Sequence, residues 1–148
     1  MENLLISACL LGVECKYSGG SNALPEETVE KLRARYRLIP VCPETAGGLP
    51  TPRDPSERLG ECVVSCRGAD VTRQFEKGAQ AALALAKRYG CSRALMKEHS
   101  PSCGSGLIYD GSFSGKLVEG DGCAAELLKA AGVFVVGENM TEVLTIAG

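Results

Sequence analysis

Short apolar runs alternate with amphipathic stripes along this chain, and that alternation restricts the fold more than any other feature. Leu4 to Ala8, Arg37 to Cys42, Ser92 to Met96 and Val133 to Val136 have strand length and strand composition. Between them, Pro25 suits a first helical turn and Val29, Leu32 and Tyr36 repeat at helical spacing, as do Val71, Phe75, Ala79, Ala82, Leu83 and Ala86 ahead of the Gly90 stop. Ala124, Leu127, Leu128 and Ala131 form a further stripe over Cys123 to Ala131, and a short helical tail is expected around Thr141. Strands separated by helices are joined by crossovers. The expected fold is therefore α/β, with three layers: a mainly parallel sheet and helices on both faces. One domain covering residues 1–148 is expected, since a chain of this length buries about 68–70% of the surface it exposes when unfolded.

Two segments break the alternation. Pro43 to Ser56 holds several prolines and a Gly-Gly pair and is expected to be a long loop, ordered if it carries function. Ser100 to Gly122 is rich in glycine and small polar residues and reads as a second functional loop, while Glu61 to Arg67 reads as a strand or one arm of a hairpin.

The cysteines fall into two groups. Cys9, Cys42 and Cys103 each sit in a Gly-, Pro- or Ser-rich turn after a strand-like run. Strands of a parallel sheet end together, and their carboxyl ends form the crevice where open α/β folds bind ligands, so three thiolates are expected at one edge. Three soft ligands without a fourth of similar quality suit an iron-sulfur cluster with one open iron, or a catalytic zinc with one exchangeable position. Cys15 follows the first strand too and would close the set if it joined. No C-x2-C pair is present, and Cys62, Cys66, Cys91 and Cys123 read as packing residues.

Composition removes several function classes. A net charge of −2 and a pI near 5.5 lack the basic footprint of a protein that binds a nucleic-acid polymer. No apolar run has the length of a membrane span, and eight cysteines without a secretory signal point to a reducing cytoplasm. No Walker loop, dinucleotide fingerprint or nucleophile elbow occurs, and His99, the single histidine, rules out a two-histidine metal set. Near the cysteine turns, Glu44 can move protons if burial raises its pKa towards neutrality, and Ser100 and Ser102 can orient water or substrate. Ser102 is a candidate substrate contact.

The stretches Cys42-Pro43-Glu44-Thr45-Ala46-Gly47-Gly48-Leu49-Pro50-Thr51-Pro52-Arg53 and Ser100-Pro101-Ser102-Cys103-Gly104-Ser105-Gly106 resemble the thiouracil desulfidase family. Ile6-Ser7-Ala8-Cys9-Leu10-Leu11-Gly12, the Cys15 loop and Gly68-Ala69-Asp70-Val71-Thr72 fit the same pattern, so the resemblance runs end to end. It implies a 4Fe-4S cluster on Cys9, Cys42 and Cys103, with Glu44 and Ser100 as catalytic groups. The implied reaction is non-redox removal of sulfur from a thiouracil-like base, giving the oxo base and sulfide. Family relatives that act on thiolated tRNA carry an additional domain, so a free thiobase is the expected substrate. Two alternatives remain open at this point: a zinc-thiolate hydrolase, and a non-catalytic iron-sulfur or sulfur carrier with Cys15 as fourth ligand.

Overall fold

The computed structural model describes residues 1–146. Four parallel strands form the central sheet: β1 (Glu2–Ser7), β2 (Tyr36–Val41), β5 (Arg93–Met96) and β8 (Phe134–Gly137), in the order β2-β1-β5-β8. Because β1 lies between β2 and β5, the chain leaves it in one direction and later returns on its other side. The carboxyl end of β1 is thus a topological switch point, where such sheets open a crevice.

Alternate residues of each strand feed two cores. Leu5, Ala94, Met96 and Val135 pack against α3 (Thr72–Arg88) and α4 (Cys123–Ala130) through Ala79, Ala82, Ala86, Ala124 and Leu128. Leu4, Ile6, Leu95 and Val136 face the other side, where Leu32 of α1 (Glu26–Arg33) and Leu144 of α5 (Glu142–Thr145) cover them. The period of two in the strands and the helical stripes therefore both find partners, and the three-layer α/β expectation holds. Glu26 and Glu27 begin α1 and Lys31 and Arg33 end it, matching the helix dipole.

Four local expectations need correction. Tyr36 is not the last residue of the α1 stripe: parallel pairing opposite Glu2 claims it for β2, and its buried hydroxyl donates to Leu144 O at 2.7 Å. The Pro43–Ser56 loop opens with a short helix, α2 (Pro43–Ala46), begun by a proline at its first position. The Ser100–Gly122 loop contains an antiparallel hairpin, β6 (Leu107–Tyr109) with β7 (Leu117–Glu119). The strand expected near Glu61–Arg67 is β4 (Cys62–Ser65), paired with β3 (Ser56–Leu59), and Cys62 and Cys66 are exposed rather than packed. These short hairpins lack the long alternating pattern that betrays a strand in sequence.

Close packing of backbone on backbone fixes α2. A Cβ on Gly78 would land on Pro43 O, and one on Gly47 would land on Gln74 O. Two glycines therefore let α2 lie directly on α3, and that contact aims the side chain of Glu44.

Candidate active site

At the carboxyl edge of the sheet a cavity of about 570 Å³ opens, and Cys9, Cys15, Cys42 and Cys103 all line it. Cys9 lies in a 3-10 turn, Ala8–Leu11, immediately after β1; Cys42 directly follows β2; Cys103 follows the tight Ser100-Pro101-Ser102 turn beyond β5. All eight cysteines are free thiols.

Burial pushes the Cys103 thiol up to about 12; the hydroxyls of Ser7 and Ser102 oppose that rise, and the charges of Glu44 and Cys9 add to it. Burial, then the neighbouring Cys42, pushes Cys15 up to about 12. Cys9 is raised by burial first, with Asn22 hydrogen-bonding its sulfur in the opposite sense and Cys42 adding to the rise. The thiols thus sense one another across the cavity. Among the described residues no group of three Cys, His, Asp or Glu side chains is already arranged to hold a metal ion. Thiols from separate segments lining one cavity are soft donors of the kind that hold an iron-sulfur cluster, so the donor set fits the iron-sulfur alternative.

Glu44 and the two serines meet beside these thiols. Ser102 Oγ donates to Glu44 Oε2 at 2.8 Å, and Arg53 Nε donates to Glu44 Oε1 at 3.0 Å. Since the Ser102 proton points to the carboxylate, Ser100 Oγ at 3.2 Å is the donor to Ser102 Oγ, giving a chain Ser100, Ser102, Glu44. Ser100 Oγ also accepts the Cys103 amide at 2.7 Å and so shapes the turn that carries this cysteine. The side chains of Arg53 and Glu44 are only 6% and 15% exposed, and they form an ion pair, so the buried carboxylate has a cationic partner that the sequence reading did not name.

The profile of the family described as 2-thiouracil desulfurase matches residues 4–140. The chain belongs to that family. Among its relatives, the uncharacterized protein YbbK of Bacillus subtilis (strain 168) is 43% identical over 146 residues, 92% of this chain and 95% of the relative. A solved structure described as a 4Fe-4S-dependent thiouracil desulfidase, TudS, is similar with a TM-score of 0.93 at 46% identity, covering 97% of this chain and 95% of the other.

In this family member, every site residue named from sequence lines the one cavity: Cys9, Cys42, Cys103, Glu44, Ser100 and Ser102. Arg53 was legible only as the end of a proline-rich motif. Its guanidinium also donates to Cys15 O at 2.9 Å, tying the Cys15 loop to Glu44. Ser7 was read only as part of a strand exit, yet its buried hydroxyl accepts the Lys97 amide at 2.8 Å beneath Cys103. His99 lines the cavity and forms an edge pair with Tyr109, 6.1 Å between ring centroids. Among the described residues no helix is long and apolar enough to cross a membrane.

Proposed function

We propose that this chain is a desulfidase that hydrolyses the C=S bond of a thiouracil-like base to C=O and sulfide, with a 4Fe-4S cluster held by Cys9, Cys42 and Cys103. One observation carries the reading: thiols spaced around a common volume share a cavity with a carboxylate that is held at both oxygens. The family match and the 46% identity to a 4Fe-4S-dependent thiouracil desulfidase support it.

When bound, the cluster supplies an open iron that acts as a Lewis acid on the thiocarbonyl sulfur and makes sulfide a leaving group. The side chains manage water and protons. Each oxygen of Glu44 keeps a free lone pair after its contacts with Arg53 and Ser102. Glu44 takes one proton from the water whose oxygen bonds the ring carbon and returns it to the sulfur. As the C–S bond breaks, the remaining hydroxyl proton passes by way of Glu44 to the departing hydrosulfide, so that C=O forms and both water protons leave on sulfur. Ser102 fixes the carboxylate, and Ser100 holds Ser102 and the Cys103 amide in place. Water and the thiobase become the oxo base and hydrogen sulfide, with no net electron transfer.

The substrate is a free base rather than a polymer, in keeping with the pI near 5.5, and residues 1–148 act as one domain. Eight free thiols suit the reducing cytoplasm. Anaerobic loading with iron and sulfide, followed by assay of sulfide released from 2-thiouracil, tests the reading. Loaded protein should hold about four irons and release sulfide. A loaded protein that releases none from any thiobase overturns it.

The carrier reading keeps one specific support, the placement of Cys15 in the same cavity. Iron content decides: Cys15→Ala should retain the cluster while Cys9→Ala, Cys42→Ala and Cys103→Ala lose it. Loss of iron in Cys15→Ala as well would favour the carrier.

A further inference from the structure

We propose that the β6–β7 hairpin is the specificity wall of this cavity, with Phe113 and Tyr109 stacking on the planar ring of the substrate and Glu57 positioning Phe113. The proposal rests on the desulfidase reading and extends it to the residues that select a flat heterocycle.

The cavity lining combines two chemistries: the thiols, Ser102 and Glu44 on the one hand, and the aromatic residues Tyr17, Tyr109 and Phe113 on the other. These three residues are 42%, 37% and 37% exposed, so each leaves surface in water although each borders the same cavity. A ring-shaped ligand would cover that surface. Stacking on a side-chain ring accepts any flat heterocycle, because every such base has a π-face.

Phe113 is held where an aromatic side chain would not settle unaided. Its φ of 57° lies in the left-handed region, uncommon for a bulky residue. Strain of this kind persists only where the surroundings over-determine it, and here a single atom does so. Glu57 Oε1 accepts the amides of both Gly111, at 3.0 Å, and Phe113, at 3.1 Å, drawing the hairpin tip onto β3. Gly111 has a φ of 95° and a Cβ there would stand 3.0 Å from Leu59 Cβ, so the tip is seated tightly on the β3–β4 hairpin. Tyr109 is steadied by an edge contact with the ring of His99, with 71° between the ring planes. The fold thus fixes two aromatic residues in the lining that they share with the reacting groups.

The test compares cluster-loaded wild type with Phe113→Ala, Phe113→Leu, Phe113→Trp and Glu57→Ala. It measures iron content, KM and kcat for 2-thiouracil, and the dissociation constant of uracil by equilibrium dialysis, which needs no turnover. At equal iron content, Phe113→Ala should raise KM and the uracil constant about tenfold and leave kcat within about twofold. Phe113→Leu keeps apolar bulk without a π-face and should lose several-fold, Phe113→Trp should bind as wild type does, and Glu57→Ala should reproduce part of the Phe113→Ala loss. Unchanged uracil binding in Phe113→Leu, or a fall in kcat with KM unchanged, overturns the wall and leaves the desulfidase reading intact. Wild type that binds uracil through Phe113 but releases no sulfide overturns the desulfidase reading instead.

Discussion

Ser102 Oγ lies 2.8 Å from Glu44 Oε2, joining two residues 58 positions apart in the chain. Arg53 holds the other carboxylate oxygen, so Glu44 is gripped from both sides at the mouth of the thiol cluster. That grip orients the carboxylate without using up its lone pairs, as the proposed proton transfer requires.

Glu44→Gln keeps the shape of the side chain but cannot carry the proton. It should lower kcat by about 100- to 10,000-fold with iron content and visible absorption unchanged. Ser102→Ala removes one charge-assisted hydrogen bond, worth about 1.5–3 kcal/mol, and should cost about 10- to 100-fold. Steady-state assay at matched cluster content measures both. Wild-type turnover in Glu44→Gln would remove Glu44 from the chemistry.

Arg53→Ala leaves a buried carboxylate without its cation. Breaking such a pair costs about 3–5 kcal/mol, and thermal denaturation should show a melting temperature lower by about 10 °C. Arg53→Lys should not rescue it, because Nε, Nη1 and Nη2 serve Glu44, Pro50 O and Cys15 O from one rigid fork. A fully stable Arg53→Lys protein would show that charge alone suffices.

Gly78→Ala puts a methyl group against the carbonyl of Pro43 and should push α2 off α3. Overpacking costs about 1–3 kcal/mol, a fall in melting temperature of about 3–10 °C at this length. Because α2 carries Glu44, turnover should fall further than stability does. An alanine variant with unaltered melting and unaltered kcat would mean that this contact positions nothing.

In the cluster-free protein, burial holds the thiols of Cys103 and Cys15 at about 12 against an ordinary 9.0. Between those values the folded chain binds more protons than the unfolded one, so stability is full below about pH 9 and declines as pH rises towards 12. Urea midpoints at about pH 7.5, 9 and 10.5 measure this. The midpoint should drop over the last interval and drop less in Cys103→Ala; a midpoint that climbs with pH would contradict the assigned burial.

The amino-acid sequence by itself determined the layered α/β plan and the edge at which the site lies. Strand and helix periodicities are local, and parallel strands must finish together, so the sequence alone brings Cys9, Cys42 and the turn bearing Cys103 to one edge. Their long motifs also carried the family. Tertiary structure decided what those motifs leave free. Side chains in Gly- and Pro-rich loops have no periodicity to aim them, so the Arg53 to Glu44 pair, the Ser102 proton directed at Glu44 and the ring of Phe113 emerge only when separate segments pack. The β4 arm of one small hairpin was legible around Glu61 to Arg67, but its partner β3 and the β6–β7 hairpin were not: strands of three or four residues bury too little to imprint a pattern, and contacts such as Glu57 with the Phe113 amide hold them instead.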